Sequence, residues 1–311
     1  MSDQKNTLPP SPTKTNNQKT TLLLANGQRT PRGWWGETLR RLLRHRLSVI
    51  ALILMAILIA SAILAPILPL QDRFEVSPPE RLQGPSFRHL LGTDELGRDL
   101  FSRVVWGGRI SLMVALLAVV ISMIIGTPWG MLAAYRGGLI DDILMRIVDG
   151  IMAFPSLVFA LLVIAALGPE LHNLILTMGI LGAPPFARIA RGAVLAEREK
   201  DYVLAAQAVG VPSLRVAVNH IVPNTVAPMI VQTSLAAASA VLTEAALSFL
   251  GMGVQPPEAS WATLLKQGYI FLSHNITYVT FPGIAIFLTV WSLNALGDGL
   301  RDALDPRLRQ G

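Results

Sequence analysis

Long apolar runs alternate with short charged segments along most of the chain. A helix needs about 20 apolar residues to cross the hydrocarbon of a bilayer, and the run 48–68 meets this length without a charged residue. Runs of comparable length recur, so the pattern predicts six membrane-spanning helices. They cover residues 48–68, 110–134, 147–167, 171–189, 225–250 and 279–300.

Two of these runs are interrupted. The third carries Asp149 and Pro155 near its start, and the fourth contains Gly-Ala-Pro-Pro at 182–185. Both remain long and apolar enough to count as spans. The predicted fold class is therefore an all-α polytopic membrane protein with six transmembrane helices.

The composition supports a membrane protein. Of the 311 residues, 52% are hydrophobic and 15% are charged, whereas soluble domains average about 25% charged residues. The formal net charge of +6 comes from basic residues that cluster beside the apolar runs rather than on a basic face, so nucleic acid is not expected as a partner. The absence of Cys excludes disulfides and thiolate metal sites.

The positive charges orient the predicted spans. Nineteen Lys and Arg residues fall before the first span, in the second and fourth loops, and after the last span, while six fall in the other loops. Cytoplasmic loops of membrane proteins carry the excess of Lys and Arg. Both termini and the loop between the fourth and fifth spans are therefore expected in the cytoplasm.

The chain divides into four predicted regions. Residues 1–38 are polar and rich in Asn, Thr, Lys and Pro, so we expect a disordered cytoplasmic tail there. Residues 39–108 hold the first span and a long outer loop, whose mixed charges predict a small folded extracytoplasmic element. Residues 109–300 hold the other five spans, and 301–311 form a cytoplasmic C-terminal tail.

No constellation of side chains in the sequence predicts catalysis. The five His residues are scattered and lack the spacing of metal ligands. The sequence has neither a Gly-x-Ser-x-Gly elbow nor the phosphate-binding pattern of P-loop ATPases. We expect no catalytic residue, metal or cofactor in this chain.

Two charged residues lie near the outer ends of predicted spans. Glu244 is close to the outer end of the fifth span, and Arg109 is close to the outer start of the second. Because a bare charge is unfavourable in lipid, both are expected to face protein or water. They could do so as a pair or by reaching the surface separately.

The loop 200–224 between the fourth and fifth spans predicts a helix, a turn and a second helix. Residues 199–209 favour the first helix, and Gly210 is expected to end it with a positive φ angle. Pro212 enforces the stop, and the second helix is expected to end at Pro223.

One face of the first helix combines Tyr202, Ala205, Ala206 and Val209, by the three-four spacing of helical neighbours. The two small Ala side chains would let another surface approach closely. On the residues alone, a structural loop and a docking element remain equally open.

This loop resembles the cytoplasmic coupling motif of binding-protein-dependent ATP-binding-cassette importer permeases. In that motif a Glu-Ala-Ala triplet is followed after three residues by Gly, and about nine residues later by Ile-x-Leu-Pro. Ala205, Ala206, Gly210 and Pro223 match it at the right spacing.

The departures from the general motif indicate one subgroup. Leu204 stands where the motif has Glu, His220 where it has Ile, and Val222 where it has Leu. These features resemble permeases for dipeptides, oligopeptides and nickel, and the resemblance covers about residues 40–308. Three further segments resemble the second permease subunit of that subgroup, namely LGTDELGRDLFSRVVWGGRISL, RIVDGIMAFPSLVFALLV and TEAALSFLGMGVQPP.

The resemblance implies a type I importer permease fold in a bacterial cytoplasmic membrane, with 109–300 as the permease domain. The chain would be one of two dissimilar permease subunits, surrounded by membrane lipid. Two cytoplasmic ATP-binding subunits would hydrolyse ATP below it, and an extracytoplasmic substrate-binding protein would deliver substrate above. The contact with the ATPase would involve Tyr202, Ala205, Ala206, Gly210, Pro212, His220 and Pro223.

The substrate stays open at this point. Dipeptides and oligopeptides fit the resemblance, as do nickel and other small solutes of the same family. A six-span membrane scaffold and a proton-coupled carrier are the alternatives from other classes. Co-purification with an ATPase would separate the importer from both.

Overall fold

The computed structural model describes residues 34–304, and this part of the chain is almost entirely helical. A short 3-10 helix, Pro78–Glu80, lies in the outer loop, and a π-helical turn, Ala217–Ile221, lies before the fifth predicted span. The α-helices are α1 (Trp34–Leu42), α2 (Arg46–Leu64), α3 (Leu100–Arg136), α4 (Gly138–Ala153), α5 (Ser156–Leu167), α6 (Leu171–Leu181), α7 (Ala183–Arg198), α8 (Asp201–Ala208), α9 (Ser213–Val216), α10 (Val222–Phe249), α11 (Trp261–Ile270) and α12 (Thr277–Leu304).

Five segments of the described chain are long and apolar enough to cross a membrane. They are α2, α3, the α6–α7 pair, α10 and α12. The α4–α5 pair is also long and apolar enough when its two helices are taken together, but the helices are bent by 89° relative to each other. The all-helical membrane fold is confirmed, and the bent α4–α5 pair has the form of either a broken sixth span or a re-entrant loop.

Pro155 causes the break in the third predicted span. The residue before a proline is pushed out of the helical region, and Phe154 accordingly has φ −89° and ψ 142°. The span predicted over 147–167 is therefore divided between the end of α4 and the whole of α5. By contrast, the Gly182 break between α6 and α7 leaves a single 28-residue segment that passes as one span.

The second span begins about ten residues earlier in the chain than predicted. α3 is 37 residues long, or about 55 Å at 1.5 Å per residue, so it extends well beyond the hydrocarbon. Its N-terminus is capped by the Asp99 carboxylate, which accepts a 2.7 Å hydrogen bond from the backbone N–H of Ser102. The predicted boundary at 108/109 therefore falls inside a continuous helix.

The two predicted tails are shorter than expected where the structure describes them. Residues 34–38, placed in the disordered tail, belong to α1, in which Thr38 and Leu42 are buried. Residues 301–304, placed in the C-terminal tail, are the end of α12. The remaining tail predictions, 1–33 and 305–311, lie outside the described residues.

Small residues set the main helix contact. A Cβ atom added at Gly130 of α3 would lie 1.9 Å from the carbonyl oxygen of Ala187 on α7, and one at Gly126 would lie 2.2 Å from that of Ala183. Only glycine permits this approach of two backbones, which is typical of helix pairs in membranes. α3 and α7 thus form the tightly packed centre of the fold.

The outer loop is a folded element held by buried charges. Asp94 is fully buried and accepts hydrogen bonds from Arg98, at 2.6 Å, and from Arg103. Asn275, just before α12, donates to the carbonyl oxygens of Gln83 and Thr93 at 3.1 and 3.2 Å. These contacts attach residues 71–99 to α3 and α12, as the expectation of a small folded element requires.

Candidate functional site

The segment 200–224 forms a short helix, a turn and a helical re-entry into α10. α8 covers Asp201–Ala208, close to the predicted 199–209. Gly210 ends this helical stretch with φ +80°, as expected, and no heavy atom lies within 4 Å of a Cβ placed there. The turn closes with a hydrogen bond from the Val211 N–H to the Ala206 carbonyl, at 3.1 Å.

One buried side chain attaches α8 to the rest of the fold. Val203 is fully buried and packs in a cluster with Ala134 of α3, Val194 of α7, Val216 and Ile221. This cluster joins α8 to two of the membrane helices.

A polar network fixes the start of α8. The Tyr202 hydroxyl donates to the Glu197 carboxylate and accepts from the Asn224 amide at 3.1 Å. Lys200 lies 2.6 Å from the same carboxylate. Although Tyr202 is 41% exposed, desolvation of its hydroxyl and the bond to Glu197 raise the pKa of Tyr202 to about 12. The phenol therefore stays a donor at cellular pH and links α7, α8 and α10.

The predicted docking face is divided by the fold. Ala205 is exposed, and Val209 is 80% exposed. Ala206 is only half-exposed and packs against the buried cluster beside Met131 and Leu195. The surface that α8 offers to a partner is thus centred on Ala205 and Leu204, the latter 51% exposed, rather than on Ala206.

The second helix does not end at Pro223, which corrects the prediction. The chain passes from α9 through the π turn, where the Val222 N–H bonds to the Ala217 carbonyl, and continues into α10 with Pro223 in its first turn. Proline clashes with the carbonyl four residues before it in a regular helix, and the wider π turn accommodates the ring. Pro212 and Pro223 are exposed, and the side chain of His220 lies outside the described residues.

The structure does not bring Arg109 and Glu244 together. Glu244 is fully buried, and its carboxylate accepts hydrogen bonds from Ser248 at 2.8 Å, Ser260 at 2.7 Å and Ser111 at 3.3 Å. Arg109 is exposed, with its guanidinium 5.8 Å from the centre of the Trp106 ring. Of the two alternatives, pairing with Arg109 is therefore wrong, and three serine hydroxyls face the Glu244 carboxylate instead of a cation.

The network around Glu244 joins three helices. Ser111 belongs to α3, Ser248 to α10, and Ser260 caps α11. The serine spacing in sequence carried no hint of this, because two of the three partners lie 16 and 133 residues away from Glu244. Among residues 34–304, no group of three or more His, Asp or Glu side chains has the geometry of a metal site.

Comparisons with known proteins cover nearly the whole chain. Residues 126–310 match the family described as "Binding-protein-dependent transport system inner membrane component", and residues 33–85 match the "N-terminal TM domain of oligopeptide transport permease C". Both matches include parts of the fold described above. The second one includes α1 and α2.

Several curated relatives share about two fifths of the sequence. The dipeptide transport system permease protein DppC of Alkalihalophilus pseudofirmus is 42% identical over 88% of this chain and 90% of the relative. The glutathione transport system permease protein GsiD of Pectobacterium atrosepticum is 40% identical over 90% and 93%. The oligopeptide transport system permease protein OppC of Bacillus subtilis is 39% identical over 89% and 90%. This chain therefore belongs to the family of binding-protein-dependent transport system inner membrane components.

Proposed function

We propose that this chain is one of two dissimilar permease subunits of an ATP-driven importer that carries peptides across the cytoplasmic membrane. The relatives support the substrate class, since their names specify dipeptide, oligopeptide and glutathione transport. Glutathione is itself a small peptide, so the three names agree on one chemistry. An extracytoplasmic binding protein delivers the peptide, and two cytoplasmic ATPases supply the energy.

The single observation that carries this proposal is that α8 combines an exposed apolar surface with buried contacts to the rest of the fold. It is a short exposed helix between two spans, with an apolar surface at Leu204 and Val209 that no other described residue covers. Beneath this surface, Val203 is fully buried and Tyr202 bonds to Glu197. An exposed apolar face on a rigid base is what a coupling contact requires.

Coupling follows from this arrangement. When ATP binding closes the ATPase pair, the cleft that holds α8 moves, and α8 moves with it. The buried cluster and the Tyr202 network transmit the displacement to α3, α7 and α10. The permease then shifts between inward-facing and outward-facing states, which is a two-state equilibrium biased by a ligand.

The charge distribution supports an orientation with α8 in the cytoplasm. The segment around α8 carries Arg191, Arg198, Lys200 and Arg215, and the N-terminal side of α2 carries a denser cluster of arginines. Both then lie on the positive side of the membrane. With an even number of crossings, both termini would then lie in the cytoplasm.

The experiment is reconstitution of the complete transporter with Ala205→Glu. A bulky acid at the exposed centre of α8 should block seating in the ATPase cleft, so ATPase stimulation by peptide-loaded binding protein should fall by about tenfold or more, equivalent to ~1.4 kcal/mol. Ala205→Ser keeps the side chain small and should behave as wild type. Both variants should reach the membrane at normal abundance, because Ala205 makes no buried contact.

The outcomes separate the importer from its alternatives. Wild-type stimulation in Ala205→Glu would contradict the coupling assignment. Failure of any ATPase subunit to co-purify would favour a scaffold. Peptide uptake that survives ATP depletion and collapses with the proton gradient would favour a proton-coupled carrier.

A further inference from the structure

The break between α4 and α5 interrupts a long apolar segment with irregular backbone. The two helices meet at 89° around Phe154 and Pro155. The last carbonyls of α4 have no partner within their own helix, as at every helix C-terminus. Such backbone is tolerated at membrane depth only where it is buried in protein or lines a water-filled cavity.

A cavity lies directly against this break. Its volume is about 390 Å³, within the range of about 300–1,000 Å³ typical of small-ligand sites. Phe154 and Ser156, at the α4–α5 break, line one side of it, and Gln232 and Ser239 of α10 line another. The remaining walls come from α3, α5 and the junction of α6 with α7.

The lining of this cavity is mostly apolar, with a few amide and hydroxyl side chains and no charge. Among the described residues it contains no Asp, Glu, Lys, Arg or His. Gln232 and Ser239 lie seven residues apart, or two helical turns, and so share one face of α10. The side chains of Gln232, Ser239 and Ser156 form no hydrogen bond within the described part of the chain. Unpaired amide and hydroxyl groups inside a membrane region indicate contact with water or a polar solute.

We propose that this cavity is a subsite for the main chain of the transported peptide, with Gln232 as its principal hydrogen-bonding residue. The inference rests on the proposed function and names how this subunit treats its substrate. A carboxamide both donates and accepts, as does a peptide group, so Gln232 can bond to any peptide backbone. Because no charge faces the cavity, this subunit does not select among peptides by side-chain charge.

The first test introduces a charged side chain that has the same shape as Gln232. Gln232→Glu is compared with wild type in the complete reconstituted transporter, using uptake of Ala-Lys-Ala and Ala-Glu-Ala. The Lys/Glu uptake ratio of the variant should exceed that of wild type by about tenfold, since a unit charge a few ångströms away in a low-dielectric site acts strongly. Dividing the variant ratio by the wild-type ratio cancels any preference of the binding protein.

The matched control adds the same charge elsewhere. Gln71→Glu changes an exposed glutamine of the outer element, whose amide bonds to the Arg88 carbonyl. It should leave the Lys/Glu ratio unchanged. An equal shift in both variants would show that the effect is one of net charge, which would overturn the subsite.

The second test uses the natural absence of Cys in this chain. Ser239→Cys in the assembled complex should react with a water-soluble methanethiosulfonate, and saturating peptide with loaded binding protein should slow the reaction. Ile57→Cys on α2, where the side chain is 58% exposed on an apolar helix, should stay unreactive in lipid. An unreactive Ser239→Cys would show that lipid or the second permease subunit fills the cavity.

Failure of this inference differs from failure of the proposed function. A transporter that takes up peptides with an unchanged Lys/Glu ratio in Gln232→Glu, or with an unreactive Ser239→Cys, refutes the subsite alone. A complete transporter that takes up neither peptide in its wild-type form refutes the importer assignment itself.

Discussion

Arg191 on α7 donates two parallel hydrogen bonds to Asp141 on α4, from Nε to Oδ1 at 2.6 Å and from Nη2 to Oδ2 at 2.7 Å. The Asp141 side chain is 12% exposed and that of Arg191 is 36% exposed. Within α4 only Asp141 and Val148 are buried. The ion pair is therefore a principal attachment of α4 to the core.

Breaking this pair should loosen α4. In Arg191→Ala the buried Asp141 carboxylate loses both donors, and leaving a buried acceptor unsatisfied costs about 1–3 kcal/mol. We expect a lower thermal unfolding midpoint of the purified complex. Limited proteolysis should also become faster in the 137–155 region.

A second ion pair on the same two helices provides the control. Arg188 and Asp149 lie 2.7 Å apart, but their side chains are 54% and 58% exposed. Exposed pairs contribute about 0–1 kcal/mol, so Arg188→Ala should barely change the unfolding midpoint. A larger effect for Arg188→Ala than for Arg191→Ala would contradict the role given to burial.

The sequence predicted the spans better than their connections. Apolar runs report burial in lipid directly, which is why five of the predicted spans largely coincide with the five long apolar helical segments. The Asp141–Arg191 pair joins residues 50 positions apart, and no periodicity encodes such a contact. Pro155 was visible in the sequence, but a proline can kink a helix or break it, and only packing around it decides the angle.

The candidate site was predicted in part for the same reason. The end of a helix often requires a residue with positive φ, which is a local property of the backbone, so the conformation of Gly210 could be predicted from the sequence. The orientation of α8 depends on Val203 inserting into a cluster drawn from α3 and α7. That tertiary contact turns Ala206 inward and leaves Ala205 outward, which the shared helical face of the two residues did not reveal.

Gly210 should tolerate a side chain poorly for backbone reasons alone. Its φ of +80° is unfavourable for a residue with a Cβ, at about 1–2 kcal/mol, and the space around it is open. Gly210→Ala should lower both the thermal midpoint and the stimulated ATPase rate. These are measured on the reconstituted transporter.

Gly192 is the matched glycine. It is exposed on α7, and no heavy atom lies within 4 Å of an added Cβ. Helical Gly→Ala gains about 0.5–1 kcal/mol, so Gly192→Ala should raise the midpoint slightly or leave it unchanged. Equal loss in both variants would argue against strain at Gly210.

Glu244 should contribute strongly to the stability of the region where α3, α10 and α11 meet. Glu244→Ala removes the acceptor shared by Ser111, Ser248 and Ser260 and leaves a cavity, so we expect a loss of about 2–4 kcal/mol. Glu244→Gln keeps one strong acceptor and should lose less. Thermal unfolding of the purified complex measures both.

Thr243, the preceding residue, controls for position. Its hydroxyl bonds to the Ser239 carbonyl of its own helix at 2.9 Å and is exposed. Thr243→Ala should change the midpoint little. Should Glu244→Ala match Thr243→Ala, the buried network would contribute no net stability.

The number of crossings can be decided from two positions, one before and one after the α4–α5 pair in the chain. Gly84 lies in the folded 71–99 element, where no heavy atom lies within 4 Å of an added Cβ, and Asp302 is exposed near the end of α12. Since the chain has no Cys, Gly84→Cys and Asp302→Cys each create a single target for a membrane-impermeant maleimide. Both substitutions also preserve every Lys and Arg that orients the chain.

If the α4–α5 pair crosses the membrane, five crossings separate these positions, and they lie on opposite sides. Intact cells should then label Gly84→Cys, and Asp302→Cys should react only after permeabilisation. If the 89° bend instead returns the chain to the side it came from, four crossings separate them, and both cysteines would label in intact cells. That result would also place α8 outside, away from any cytoplasmic ATPase, and would contradict the coupling proposal.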